Sequence, residues 1–300
     1  MNNCKFCGSE SRQILENRID YEYGNPTLLN YWKCLNSNCE FVFVNPQPSL
    51  NEIQGFYNRY STHKENYKGK LINPIAFLNK KLQNKYFDRL FKNANIREIK
   101  VLDFGCGNGN LLVELRKRGV LELFGYDFDD KATLFSQNEG LTVFSDYDKI
   151  KENGNYDFIF LNHVVEHLSH PEKDIENLSA FLKPNGIFII RTPNSSSILC
   201  NLFKAKWRGW ETPRHLGIFN YNNIENIAGS CKIEKRWTSN LMFSGIYNES
   251  IRSPFFTNVF LLKVLKHIFL PIVYSLSQII NLVFKKYGEE VCIILKKSSN

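Results

Sequence analysis

The stretch Val101-Leu-Asp-Phe-Gly-Cys-Gly-Asn-Gly109 decides how this chain is read. An apolar run from Ile99 to Phe104 reads as a buried strand. It breaks into a turn holding Gly105, Gly107 and Gly109, and a helical pattern follows from Leu111 to Arg118. Glycines let the backbone turn sharply and approach a ligand where a Cβ would clash. Dinucleotide sites use the same device, so the turn alone selects no ligand. Here the spacing is G-x-G-x-G, with Asn110 where the dinucleotide pattern places its third glycine.

Working outward, Leu121 to Tyr126 reads as the next strand and ends in Asp127. Further strands are expected at Leu141 to Phe144, Tyr156 to Leu161, Gly186 to Arg191, Ile233 to Trp237 and Val291 to Leu295, with helical segments between most of them. Strands alternating with helices make an α/β sheet wrapped on both faces. Asp103, just before the turn, can order the loop and receive the positive end of a methionine-like ligand. Asp127 can bind both ribose hydroxyls, a role that an acid also plays in NAD enzymes.

Four segments, VLDFGCGNG, GYDFDD, YDFIFLNHVVEHLSHP and LKPNGIFIIRTPN, stand in an order and spacing that resemble the class I S-adenosylmethionine methyltransferases. The resemblance implies a Rossmann-like seven-stranded methyltransferase sheet. It implies cofactor binding by Asp103, Gly105, Gly107, Gly109, Asp127, Asn162 and, on a looser match, Asp146. His163-Val-Val-Glu166-His167 formally matches a zinc-peptidase pattern, which needs both histidines on one helical face. Here His163 comes straight off a strand, and the string matches the end of the fourth methyltransferase strand, beside the cofactor's methyl group. The related ubiquinone-pathway O-methyltransferases carry a Glu where His163 stands.

The N-terminal region carries Cys4-x-x-Cys7 and Cys34-x-x-x-x-Cys39. Two close cysteine pairs joined by a longer spacer are the pattern of a zinc ribbon, and four thiolates close the coordination sphere of a structural ion. Asn45-Pro46-Gln47-Pro48 then breaks regular structure, and Phe56, Tyr57, Tyr60 and an amphipathic stretch from Ile75 to Phe91 follow. The expected organisation is a ribbon over 1–45, a helical linker or lid over 46–97, and the methyltransferase domain over 98–300, with a helical insertion at about 246–287 before the last strand. A ribbon, a Pro-containing linker and then this domain resemble enzymes of bacterial polysaccharide and antibiotic-sugar pathways, as does Trp210-Glu-Thr-Pro-Arg-His215 followed by Phe219.

The methyl donor is already activated as a sulfonium, so the enzyme must add alignment and removal of a proton from the acceptor. A neutral histidine suits that task near pH 7. His163 and His215 are the candidates, and a structural hydrogen bond is the competing role for each. His215 lies in a connection from Thr192 to Asn220, long enough to be a lid, whose Trp207 and Trp210 are placed to stack on a sugar or cover an apolar acceptor.

A hydrophobic content of 43% and a charged content of 23% suit a chain with a real core. The net charge of +8 is spread out, which permits anionic partners and selects none. The N-terminus lacks the apolar core of a secretory signal, so a cytoplasmic location is expected, and the eight cysteines read as ligands or buried thiols. From Ile268 to Phe284 no residue is charged. A strand must follow and join the same sheet, so this stretch is expected to pack on the domain, bury a homodimer face, or lie on a membrane surface through 255–284. The expected acceptor is a small-molecule or lipid-linked glycan. An RNA methyltransferase gripping RNA with its ribbon is the alternative enzyme, disfavoured by the absence of a basic-aromatic stripe. A non-catalytic binding module and a nicotinamide oxidoreductase remain as readings from other classes.

Overall fold

The computed structural model describes residues 3–20, 25–57, 74–252 and 259–298; Tyr60 lies outside them. The N-terminal part contributes β1 (Ser11–Arg18), β2 (Leu29–Cys34), β3 (Val42–Val44), α1 (Leu50–Tyr57) and α2 (Pro74–Leu90). The main domain follows with β4 (Lys100–Phe104), α3 (Asn110–Lys117), β5 (Glu122–Tyr126), α4 (Asp130–Asn138), β6 (Thr142–Phe144), α5 (Tyr147–Glu152), β7 (Tyr156–Asn162), α6 (Pro171–Ser179) and β8 (Leu182–Pro193). It ends with α7 (Ile198–Phe203), β9 (Gly217–Ile218), β10 (Lys232–Ser239), α8 (Phe243–Arg252), α9 (Val259–Phe284) and β11 (Glu290–Lys296).

Seven strands form one sheet in the order β10-β11-β8-β7-β4-β5-β6. The five from β8 to β6 run parallel, and β11 runs antiparallel between β8 and β10. β4 and β7 are apolar almost throughout because both faces of a parallel sheet are covered. On one face, Phe87, Phe91, Leu112 and Leu115 of the flanking helices and loop pack against Val101, Phe158 and Phe160. On the other, Ile150, Ile175 and Leu178 pack against Leu102, Ile159 and Leu161. This is the α/β architecture expected, with all seven strands near their predicted positions.

The ribbon does not stand apart. β3 pairs with β9, which belongs to the long connection after β8, so the four-stranded sheet β1-β2-β3-β9 is shared between the two parts of the chain. The same connection corrects an expectation about its tryptophans. Trp207 and Trp210 are buried against Tyr31, Leu199, Phe243 and Tyr247, so neither is presented to an acceptor. Among the described residues, no helix is long and apolar enough to cross a membrane.

Candidate active site

A cavity of about 730 Å³ opens at the carboxyl ends of the parallel strands, where open α/β sheets bind ligands. Its lining includes Asp103, Gly105, Asn162 and His163, together with Asn79, Lys80 and Gln83 of α2. Arg191 and Glu290 complete one wall, with Met242 and Ser244 nearby. The volume suits a ligand of cofactor size.

The glycine turn is built as the sequence suggested. Gly105 has φ +76°, and a Cβ there would lie 2.5 Å from Cγ2 of Val164. Gly109 has φ +72°, and its Cβ would meet Leu141 at 2.4 Å. A Cβ on Gly107 would meet nothing within 4 Å, so that residue marks the open side of the cradle. The N–H of Gly107 donates to Oδ2 of Asp127 at 2.8 Å, and the N–H of Asp129 donates to Oδ1 at 3.0 Å. Asp127 therefore fixes the turn from the end of β5.

Asp103 is buried in this cradle, and its carboxyl has no hydrogen bond or ion pair among the described residues. Burial pushes its carboxyl up to about 8, and the nearby charge of Asp127 adds to the rise. A buried carboxyl in want of a cation fits the ammonium end of S-adenosylmethionine. Of the expected cofactor residues, Asp103, Gly105 and Asn162 line the cavity and would touch the cofactor, whereas Gly107, Gly109 and Asp127 shape the adjoining turn and do not line it. Asp146 is placed differently. It is exposed at the end of β6 and caps α5 by accepting from the N–H of Asp148 at 2.9 Å, and it does not line the cavity.

His163 follows β7 directly and is held at φ 57°, a left-handed conformation that a non-glycine residue adopts only where its surroundings fix it. Its Nδ1 lies 3.4 Å from Oε1 of Glu166 and its Nε2 lies 3.1 Å from Oε1 of Glu290. Burial alone would discharge the ring, but the two carboxylates outweigh it and hold the pKa up to about 10. Both partners answer in kind. Burial would raise Glu166, yet the His163 charge and hydrogen bond hold it down to about 2, and Glu290 is lowered for the same reason.

His215 sits behind this group and does not line the cavity. Its Nε2 is 3.9 Å from Oε1 of Glu166, and Nδ1 is 2.7 Å from the carbonyl of Gly209. Burial lowers its pKa to about 4, with the charge of Glu211 opposing the fall. The expectation of a histidine base finds no support in this geometry. His163 lines the cavity, but its ring nitrogens face two carboxylates that favour the protonated form, and His215 does not line the cavity. The third histidine, His167, is 3.1 Å from both the Tyr57 hydroxyl and the Arg214 carbonyl.

The cavity residues that were not anticipated include two charged ones, Arg191 and Glu290. Arg191 lies beside Asn162 in the β7–β8 register, with its guanidinium 4.6 Å from the ring centre of Tyr86. Its Nε is buried without a hydrogen-bond partner. A lone charge at the end of the apolar run Ile187 to Ile190 was the available signal. Glu290, at the start of β11, carried none, because its partner His163 is 127 residues away.

At the other end of the chain, the Sγ atoms of Cys4, Cys7, Cys34 and Cys39 lie within 4.8 Å of one another. Two of the separations are 3.7 Å, Cys4 to Cys39, and 3.4 Å, Cys7 to Cys34. Four thiolates around one zinc ion stand about 3.8 Å apart, so the donor set fits that metal.

Comparison with known proteins identifies the class of enzyme. Residues 76–230, just over half of the chain, match the profile of the methyltransferase domain family, and the chain belongs to that family. It is an S-adenosylmethionine-dependent methyltransferase. The ubiquinone biosynthesis O-methyltransferase of Rickettsia prowazekii (strain Madrid E) is 28% identical over 58% of this chain and 71% of its own length. The protein of that name from Rickettsia canadensis (strain McKiel) is 30% identical over 41% of this chain and 52% of its length. A solved S-adenosylmethionine-dependent methyltransferase from Archaeoglobus fulgidus is 19% identical, with a TM-score of 0.44 over 74% of this chain and 94% of that one.

Proposed function

We propose that this enzyme transfers a methyl group from S-adenosylmethionine to a hydroxyl or carbon of a small glycan or nucleotide-sugar intermediate that carries an anionic group. The observation that supports this acceptor class is Arg191. Its buried Nε lacks a partner at the wall of the cavity that also holds Asp103 and His163. Its charge is met by Glu290 and Tyr86, but the Nε donor is left unsatisfied, which is costly, and a phosphate or carboxylate matches the guanidinium fork. Protonated His163, with both ring nitrogens facing the carboxylates of Glu166 and Glu290, is suited to hold a fixed, charge-balanced wall beside the acceptor. It is not suited to take the acceptor's proton. A phenolic acceptor is the second reading, favoured by the similarity to proteins named ubiquinone biosynthesis O-methyltransferases.

The experiment is a screen with isotopically labelled methyl donor against nucleotide sugars and against dihydroxybenzoates. Label on a nucleotide sugar, with an acceptor KM raised roughly tenfold or more by Arg191→Gln and an unchanged donor KM, supports the glycan reading. Label on the benzoates alone would sink it.

We also propose that Cys4, Cys7, Cys34 and Cys39 hold one structural zinc ion. The sulfur separations and the closed four-thiolate set support it. Metal analysis should find one zinc per chain, and none in a purified, fully folded protein would contradict the assignment.

A further inference from the structure

α9 is apolar on both sides. Its inward side packs Leu270, Val273 and Tyr274 on the domain and is bonded to it through Tyr274, Ser277 and Asn281. The Tyr274 hydroxyl donates to Oδ1 of Asn79 at 2.9 Å, Ser277 accepts from Asn240 at 3.4 Å, and Asn281 accepts from the N–H of Gly288 at 3.1 Å. Phe269, Ile272, Leu276, Ile279 and Val283 repeat at alternating steps of three and four on the opposite side, and all are exposed. Leu282 and Phe284 are exposed beside them. A helix on a water-facing surface carries polar residues on its outer side, and an apolar face this large marks an interaction surface.

The charge around this face indicates what it meets. Between Glu249 and Glu289 the sequence holds five Lys or Arg residues and no Asp or Glu. At the end of the helix, Lys285 and Lys286 are exposed next to Phe284, whose ring packs edge-on against Tyr287 at 5.9 Å. An apolar helix face edged by lysines and aromatic rings suits the boundary between acyl chains and anionic headgroups. The helix runs along the domain and is not apolar enough to cross a bilayer. We propose that α9 seats the enzyme on an anionic lipid surface, with Phe269, Ile272, Leu276, Ile279 and Val283 entering the acyl boundary and Lys285 and Lys286 meeting the headgroups. Asn79, which Tyr274 holds, also lines the active-site cavity. The wall of the cavity is thereby braced against the membrane-facing helix, and a lipid-linked acceptor has a short path to it, a consequence that rests on the acceptor reading above.

The test is co-sedimentation of the full chain with vesicles of phosphatidylcholine alone, and of phosphatidylcholine with about a third phosphatidylglycerol. Binding should be roughly tenfold stronger to the anionic vesicles and should weaken as salt is raised. Ile279→Glu should abolish binding to both vesicle types. Lys285→Glu with Lys286→Glu should remove only the preference for anionic lipid. Calorimetry with S-adenosylhomocysteine on every variant reads the fold and the cofactor site separately, so a protein that binds this ligand but no vesicle overturns the lipid proposal alone. The rival occupant is a second copy of the chain. A stable dimer in ultracentrifugation that Ile279→Glu splits, without vesicle binding by the wild type, would assign the face to that copy and overturn the proposal.

Discussion

The imidazole of His163 stands 3.4 Å from the carboxylate of Glu166, which is itself fully buried and accepts from the Thr192 hydroxyl at 2.8 Å. The pairing raises His163 to about 10 from an ordinary 6.5 and lowers Glu166 to about 2 from 4.5. Both shifts describe one interaction and are counted once. On the His163 side, its stabilisation is complete below about 6.5 and is lost as pH rises through about 10. On the Glu166 side, it is complete above about 4.5 and is lost as pH falls toward about 2. The difference in thermal midpoint between wild type and His163→Gln should therefore be flat between about pH 4.5 and 6.5, shrink steadily above about 6.5, and level off above about 10. The His163 resonances should not titrate near pH 6.5, and turnover should show no acid limb from this ring. An NMR titration centred near 6.5 would refute the pairing.

Asp103 predicts a pH dependence of opposite origin. With its carboxyl pushed up to about 8, the residue is largely neutral at pH 7 before ligand arrives. A ligand ammonium favours the charged form, so binding should release a proton below about pH 8. Affinity for S-adenosylhomocysteine should rise between pH 6 and 8, by up to about tenfold per unit. Calorimetry in two buffers of different ionisation enthalpy measures the proton, and Asp103→Asn should remove both effects. Identical apparent enthalpies in the two buffers would argue against the assignment.

The turn itself can be tested from both of its ends. Gly105→Ala places a methyl 2.5 Å from Val164 at a φ that side chains rarely adopt, so the loop must move. Asp127→Ala removes the acceptor for the N–H of Gly107 as well as the group expected on the ribose. Losing charge-assisted hydrogen bonds of about 1.5–3 kcal/mol corresponds to roughly 10–150-fold in affinity for S-adenosylhomocysteine. Both variants should keep the wild-type circular dichroism. Tighter binding of NAD than of S-adenosylhomocysteine by the wild type would overturn the cofactor assignment.

The sheet was legible because its signal is local. A parallel strand buried on both faces is a continuous apolar run, and the glycines that follow β4 meet a steric demand set within a few residues. The four cysteines were legible for the same reason, as two short-range pairs. What the sequence withheld was long-range and electrostatic. Nothing near His163 announces that Glu290 will cap its second nitrogen, and without that carboxylate a neutral base was the natural reading. Trp207 and Trp210 looked like an acceptor platform because the length of a connection says nothing of what covers it. Here Tyr31, from the N-terminal part, does. The outward apolar face of α9 was hidden as well, since an uncharged stretch can be read equally as core, dimer seam or lipid contact.

The last prediction concerns how the cysteine cluster reaches the site of chemistry. The carbonyl of Cys39 accepts from the side-chain amides of Asn220 at 3.1 Å and Asn223 at 2.8 Å. β3 pairs with β9, and the Tyr31 hydroxyl donates to the carbonyl of His215 at 3.0 Å. The N–H of Leu216 in turn donates to the carbonyl of Glu166 at 2.8 Å, and Glu166 holds His163. The cofactor cradle, by contrast, is built from β4, β5 and the turn between β4 and α3. Disrupting the cysteine cluster should therefore leave S-adenosylhomocysteine affinity nearly intact while lowering turnover. Cys4→Ser should show this split, with faster hydrogen exchange across residues 207–219 and slow exchange retained in β4 and β5. Tyr31→Phe removes only one link and should cost about 1 kcal/mol of stability, up to about 3 kcal/mol if the buried carbonyls are left without a donor. Its effect on turnover should have the same direction and be smaller. Unchanged exchange across 207–219 in Cys4→Ser would show that the cysteine cluster folds independently of that segment, and the coupling would then have to be abandoned.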